Sequence, residues 1–316
     1  MDYKKTYFNS NKLNIMNSIE TIIPIIIMII LGYFLKRINI LRPDDANILN
    51  KIVIYIAIPS LIFIAMYDFD ITILPSIIPI TFICLIIGII SGTLAYIFSK
   101  IRNYDEKTRW STVITSAMFN SGFLGYPVVL GVFGQEGLVR AIFYDMGSMI
   151  LFIAFGIFFS IIFAEKYSSI LKRALIFPPL WAIALGIFLN FINFNIGLLA
   201  SNTLNYLSGA AIPLIMISLG LSLEFRGIKE NIEAVFSVFI IKLLIAPFLA
   251  FFIVLILGIG GLEKQVTIIE AAMPSAMLCL VLAITYDLDI KTAAACIFAT
   301  TILSLTTIPL ILVLLS

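Results

Sequence analysis

Lys242, Asp145 and Glu270 are ionisable residues that lie inside long apolar runs. A charge at the centre of a membrane costs at least about 2.5–3.5 kcal/mol, so such residues usually have a role. Lys242 is ten residues into its run and could bind or balance a carboxylate. Pairing with an aspartate or with backbone carbonyls is the structural alternative. Asp145 either carries a coupling proton or pairs with Lys242 or a helix end. Glu270 precedes Pro274 by one turn and is either a proton site or a solvated group near the interface. Glu20, at the start of the first run, faces water. The other polar chemistry gathers at two interruptions. One is Phe119-Asn120-Ser121-Gly122-Phe123-Leu124-Gly125-Tyr126-Pro127, and the other is Ala271-Ala272-Met273-Pro274-Ser275-Ala276-Met277.

The elements that must position these residues are helices. Of the 316 residues, 61% are apolar or aromatic and 12% are charged, against about 45–50% and about 25% in soluble domains. That excludes a soluble enzyme. A net charge of +2 is too small to imply a nucleic-acid partner. The chain has no histidine, which removes Ser-His-Asp and Cys-His catalysis and His-ligated metals. Asp44-Asp45 is the only adjacent pair of aspartates, and no second such motif accompanies it, so a membrane enzyme lacks its paired motif. Cys84, Cys279 and Cys296 stand singly in apolar runs and read as small hydrophobes. No metal site and no cofactor is expected.

Ten segments have roughly the 20 apolar residues a crossing needs: 17–35, 46–66, 73–98, 109–132, 138–164, 175–193, 198–222, 232–257, 263–285 and 292–315. Segments 109–132 and 263–285 are the interrupted ones. Residues 1–16 form a polar tail, within which Met16 is a second possible start. The tail resembles the n-region of a signal peptide, but the run after Pro24 is long and no small-residue cleavage site follows, so an uncleaved first helix is expected. Loops on the side of the N-terminus carry 5 Lys and Arg, and the opposite side carries 14. The positive-inside rule makes the second side cytoplasmic. A multi-pass cell-membrane protein with both termini outside follows.

The halves match at a fixed offset of 154 residues. Pro24, Gly32 and Leu35 match Pro178, Gly186 and Leu189. Ala57-Ile58-Pro59 matches Ala211-Ile212-Pro213, and Ala117, Ser121 and Leu124 match Ala271, Ser275 and Leu278. Five segments per half give the halves opposite orientations, so 17–165 and 172–316 form an inverted repeat within one membrane domain. Inverted repeats with broken helices are the architecture of many secondary transporters. One break alone reads as a proline kink. Two at matched positions point to a binding site near the midplane, since broken backbone in hydrocarbon must line a cavity or be buried in protein. Half-helix N-termini after Gly125 and Pro274 would favour an anion. Pro127 suits the first turn of such a half-helix. Asn120 would hydrogen-bond the ligand, with Ser121, Gly122, Gly125, Pro127, Pro274, Ser275 and Lys242 around it. Thr300, Thr301 and Ser304 either line the cavity or bond their own helix.

Asn120-Ser-Gly-Phe-Leu-Gly-Tyr-Pro127 followed by Phe133-Gly134-Gln135-Glu136-Gly137-Leu138 resembles the fourth helix of the auxin efflux carrier family. So do Ala272-Met273-Pro274-Ser275 and Thr300-Thr301-Ile302-Leu303-Ser304-Leu305-Thr306-Thr307-Ile308-Pro309. The likeness runs from about residue 17 to the end. It is to the compact prokaryotic members, with a more distant likeness to the bile acid/sodium symporter fold. The resemblance implies an all-α integral membrane protein of ten helices in two inverted five-helix repeats, helices four and nine broken and crossing. It implies transport of small organic anions such as auxin, malate or malonate, and a possible homodimer. A sodium-coupled symporter and a non-transporting sensor are the alternatives. For sodium, Asn120, Ser121 and Ser275 are a thin ligand set.

Overall fold

The computed structural model describes residues 23–163, 176–223 and 228–315. The polar tail, the start of the first segment and the basic loop at 166–173 lie outside the described residues. The described residues are helical throughout, apart from short turns and one isolated backbone bridge. The helices are α1 (23–37), α2 (Asp45–Asp68), α3 (Ile71–Ile101), α4 (Glu106–Ala117), α5 (121–133), α6 (135–162), α7 (Pro178–Phe191), α8 (Gly197–Ser222), α9 (Ile232–Ile256), α10 (Gly261–Ala271), α11 (Leu278–Thr285) and α12 (Ile290–Leu315).

Among the described residues, six helical stretches are long and apolar enough to cross a membrane: α2, α3, α5 with α6 taken across the turn at Gly134, α8, α9 and α12. The outward faces of the helices carry large apolar side chains, on α1, α7 and α9 alike. Ile27, Phe34, Trp181, Phe188, Phe248 and Leu255 are all exposed. In water such a surface would aggregate, whereas in a bilayer it meets hydrocarbon.

Glycine decides two features of the path. Between α5 and α6, Gly134 adopts φ 66° and ψ −161°, a region open only to glycine. The chain turns there, and α6 runs back along α5, so that Tyr126 meets Asp145 and Phe119 meets Ser148. Between α1 and α8, Gly32 and Gly220 face one another. A methyl group at Gly220 would lie 2.8 Å from the Tyr33 nitrogen and 3.0 Å from the Gly32 Cα. Small residues let membrane helices approach to backbone contact.

The helices form two groups. The packing of α2 on α7 and α8, with α1 against α8, makes one. The other consists of α3 to α6 and α9 to α12. Among the described residues three π-helical turns interrupt the α pattern, at Val53–Ala57 in α2, Ser121–Gly125 opening α5, and Ile240–Ile245 in α9. Such turns are rare and concentrate at functional positions.

Helix ends recur at the offset read in the sequence. Ala117 ends α4 and Ala271 ends α10. Asn39 and Asn193 both take left-handed conformations after their helices, φ 59° and 51°. In each case the next residue's N–H closes the helix on an equivalent carbonyl, Ile40 to Leu35 at 3.1 Å and Phe194 to Leu189 at 3.0 Å. This is the usual glycine position of a helix C-terminus, and asparagine tolerates it. Outside the apolar helices, Asp70 caps α3. The Thr72 N–H and hydroxyl donate to it at 2.9 and 2.7 Å and hold its carboxyl below the ordinary range.

Candidate functional site

Helix α4 has 12 residues and α10 has 11, so each rises about 16–18 Å. That is roughly half of a 30 Å hydrocarbon core. Each ends where the sequence breaks, and the two extended segments that follow pair with each other. Phe119 and Ser275 form an antiparallel bridge. The Asn120 N–H donates to the Pro274 carbonyl at 2.9 Å, and the Ala276 N–H donates to the Met118 carbonyl at 3.2 Å. Hydroxyls from the long helices bond three further backbone groups. Ser148 bonds both the N–H and the carbonyl of Phe119, at 3.3 and 3.2 Å, and the Ser275 N–H donates to Thr300 at 3.2 Å. Broken backbone is tolerated in hydrocarbon where the protein satisfies its polar groups, as these bonds do for Met118, Phe119 and Asn120.

The carboxyl-terminal carbonyls of α4 are capped by side chains from the second half. Cys279 Sγ reaches the Ile114 carbonyl at 3.3 Å, Ser275 Oγ donates to the Thr115 carbonyl at 2.6 Å, and Lys242 Nζ donates to the Ser116 carbonyl at 3.4 Å. Lys242 is wholly buried, with its ammonium 3.0 Å above the centre of the Phe119 ring. A cation suits both a helix C-terminus and the face of an aromatic ring. Lys242 thus lies against a backbone carbonyl and an aromatic ring and is not among the lining residues of the cavity described next.

A cavity of about 170 Å³ lies beside the bridge, between the two helix groups. Its polar lining is Asn50, Asn120, Tyr126, Asp145 and Ser148, and no lysine or arginine is among its lining residues. Asn120 is 3% exposed and its Nδ2 has no hydrogen-bond partner among the described residues. Tyr126 donates its hydroxyl to Asp145 Oδ2 at 2.8 Å. Gly122 leaves that carboxylate open, since a methyl group at Gly122 would lie 3.4 Å from Asp145 Oδ2.

The expected site residues therefore divide. Asn120, Gly122 and Asp145 line the cavity. Pro274 supplies its carbonyl to the bridge and Ser275 its hydroxyl to α4. Ser121, Gly125, Pro127, Lys242 and Glu270 are buried away from the cavity lining. Glu270 is fully buried rather than near water, with both carboxyl oxygens unpartnered among the described residues and packed against the Cα of Gly125. The helical turn after the first break begins at Ser121, ahead of Gly125. The Leu124 and Gly125 N–H groups already donate to the Asn120 carbonyl, each at 3.1 Å. Tyr126, Ser148 and Phe119 are additions to the expected set. Ser148 stands three residues after Asp145, a spacing that shares one helix face. Tyr126 was inside the quoted motif.

Comparison with known proteins agrees with this picture of a membrane carrier. The family described as membrane transport protein matches residues 17–166 and 160–312. The chain is 47% identical over 295 residues to an uncharacterized transporter of Methanothermobacter thermautotrophicus, covering 93% of this chain and 97% of that protein. It is 40% identical over 306 residues to an uncharacterized transporter of Methanocaldococcus jannaschii, covering 93% and 98%. The uncharacterized transporter YfdV of Escherichia coli is 23% identical over 304 residues, covering 92% and 96%.

Proposed function

Since the chain belongs to the membrane transport protein family, that of the auxin efflux carriers, and is a multi-pass membrane transporter, we propose that it is a secondary carrier of small organic anions working by alternating access. The substrates would be carboxylates of the auxin, malate or malonate kind. The single observation that carries this reading is the backbone bridge between the two breaks, with a cavity beside it that lies between two groups of helices. Rocking one group against the other would open that cavity to each side in turn. The recurrence of helix ends at a fixed offset supports ten helices in two inverted repeats of five, with the fourth and ninth broken and crossing.

Asn120 is the proposed ligand to the substrate carboxylate. Asn120 lines the cavity, and its amide Nδ2 is buried and lacks a partner among the described residues. Asp145 and Glu270 are the proposed proton-coupling groups. Asn120→Ala is expected to weaken substrate binding by about 1–3 kcal/mol, the range for a hydrogen bond to a charged group. The measurement is carboxylate affinity and uptake in proteoliposomes, with folding checked by thermal melting. Unchanged affinity in a well-folded variant would put the carboxylate elsewhere.

The proposed orientation in the cell membrane has both termini outside. Tyr104→Cys, between α3 and α4, should be shielded from an impermeant thiol reagent in intact cells. Asn195→Cys, between α7 and α8, should react. The reverse pattern would invert the orientation.

A further inference from the structure

A second cavity, of about 520 Å³, lies at the other end of α2. Its walls come from α2, the start of α3, the part of α6 beside the Gly134 turn, and Asn205 of α8. It too therefore lies between the two helix groups. Asp68, Asp70, Gln135 and Glu136 are on its wall and exposed, so it opens to water. The first cavity begins near the opposite end of α2, at Asn50. Asn50 and Asp68 are about 27 Å apart along the helix at 1.5 Å per residue, close to the thickness of a hydrocarbon core.

One face of α2 serves both cavities. Ile58 and Ile62 line the first, and Ala65 and Phe69 line the second. Their spacings of four, three and four make a single stripe on the helix surface. Ile62 and Ala65 are only about 4.5 Å apart along the axis, so on α2 less than one turn divides the cavities. The helix that lines both cavities with α2 is α6, running the opposite way. Its own stripe is Gln135, Val139, Ile142, Met146 and Met149, again at spacings of four and three. Gln135 and Val139 line the second cavity, and Met149 lines the first. Ile142 lines neither and is wholly buried. It stands midway between Val139 of the second cavity and Asp145 of the first, in one apolar cluster with Ile62 and Ala65. Taking the carrier reading above as its basis, we propose that the two cavities are the two ends of one substrate path along the seam of α2 and α6. Ile142, with Ile62 and Ala65 of α2, is the barrier that closes it. An apolar constriction stops ions by shedding water, because an ion loses its hydration there without a partner to replace it. So thin a closure needs only a small shift of α2 against α6 to pass from one side of the substrate to the other.

The test uses the full chain in right-side-out and inverted membrane vesicles. An impermeant methanethiosulfonate reagent is applied on ice, where cycling is slow. Cys84, Cys279 and Cys296 are buried, so the unmodified chain is the blank. Ile58→Cys should react only from the side of Asn50, and Ala65→Cys only from the side of Asp68. This pair leaves Ile142 intact. Adding Ile142→Ala, which removes three carbons and leaves a void, should let each cysteine react from both sides. Ile142→Val should restore the sidedness. Ile62→Ala opens the same seam from α2 and gives a second measurement should Ile142→Ala fold poorly. In proteoliposomes Ile142→Ala should lose gradient-driven accumulation of labelled malonate and phenylacetate and release preloaded anion faster, with melting temperature confirming the fold. Reaction of both cysteines from the same side, or sidedness that persists in folded Ile142→Ala and Ile62→Ala, would overturn this inference alone. Sided labelling that Ile142→Ala abolishes, in a chain that carries neither anion, would overturn the carrier reading and leave the barrier standing.

Discussion

Lys242→Glu is expected to prevent accumulation of folded protein, whereas Lys242→Met is expected to fold and to bind substrate. The ammonium is wholly buried, 3.4 Å from the Ser116 carbonyl and 3.0 Å above the Phe119 ring. Reversing its charge would set a carboxylate against the negative end of α4 and against the negative face of the ring. Leaving a buried charge without compensation costs about 3–5 kcal/mol, a large part of a typical stability of about 5–15 kcal/mol. Methionine has nearly the same length and removes the need to bury a charge. Well-packed apolar replacements of buried ions are often neutral or stabilising. The readouts are yield of monodisperse protein, melting temperature and carboxylate affinity. Loss of affinity in a stable Lys242→Met would mean that the substrate reaches past Phe119 to the ammonium. A stable, active Lys242→Glu would sink the account of this contact.

The second large effect concerns Gly125. A methyl group there would overlap both carboxyl oxygens of Glu270 and come within 2.7 Å of its Cδ. Glu270 is at the closely packed end of α10 and has no exposed surface to swing towards. Gly125→Ala should therefore cost about 1–3 kcal/mol or more by overpacking. The cause can be isolated by a double-mutant cycle. Glu270→Ala removes the obstructing carboxyl, so Gly125→Ala should cost far less in that background, with a coupling of about 0.5–3 kcal/mol. Thermal or denaturant unfolding of the four proteins gives the answer. Additive effects would show that Gly125 is required by its own π turn rather than by Glu270.

The breaks were legible because their signals are local. Glycine and proline act on their own backbone, so Asn120 to Pro127 and Ala271 to Pro274 announced where α4 and α10 stop. The fixed offset was read from Pro24 and Pro178, and Asn39 and Asn193, which the sequence reading did not single out, end their helices alike at the same offset. What the sequence hid depends on rotation and return. Lys242 could be placed in depth by counting residues, but its direction is set around the helix axis, and the π turn at Ile240–Ile245 shifts that direction. Counting left Glu270 either a proton site or a solvated group near the interface, and the side it presents is the one against Gly125. The Tyr126–Asp145 bond depends on the chain reversing within a single residue at Gly134. The sequence reading instead allowed a loop between segments ending at 132 and starting at 138.

The paired breaks also set a condition on how the chain is made. Backbone groups of Met118 and Asn120 have their partners at Pro274 and Ala276, which leave the ribosome more than 150 residues later. At about 5–20 residues per second, the interval is roughly 8–30 s. Throughout it the first half of the chain carries peptide groups whose partners are not yet made, and hydrocarbon offers none. The nascent first half must therefore keep its broken helix hydrated or sheltered within the insertion machinery until the second half arrives. The two halves are interdependent in biogenesis, and a ribosome that stops between them leaves a fragment marked for degradation by its own unsatisfied backbone.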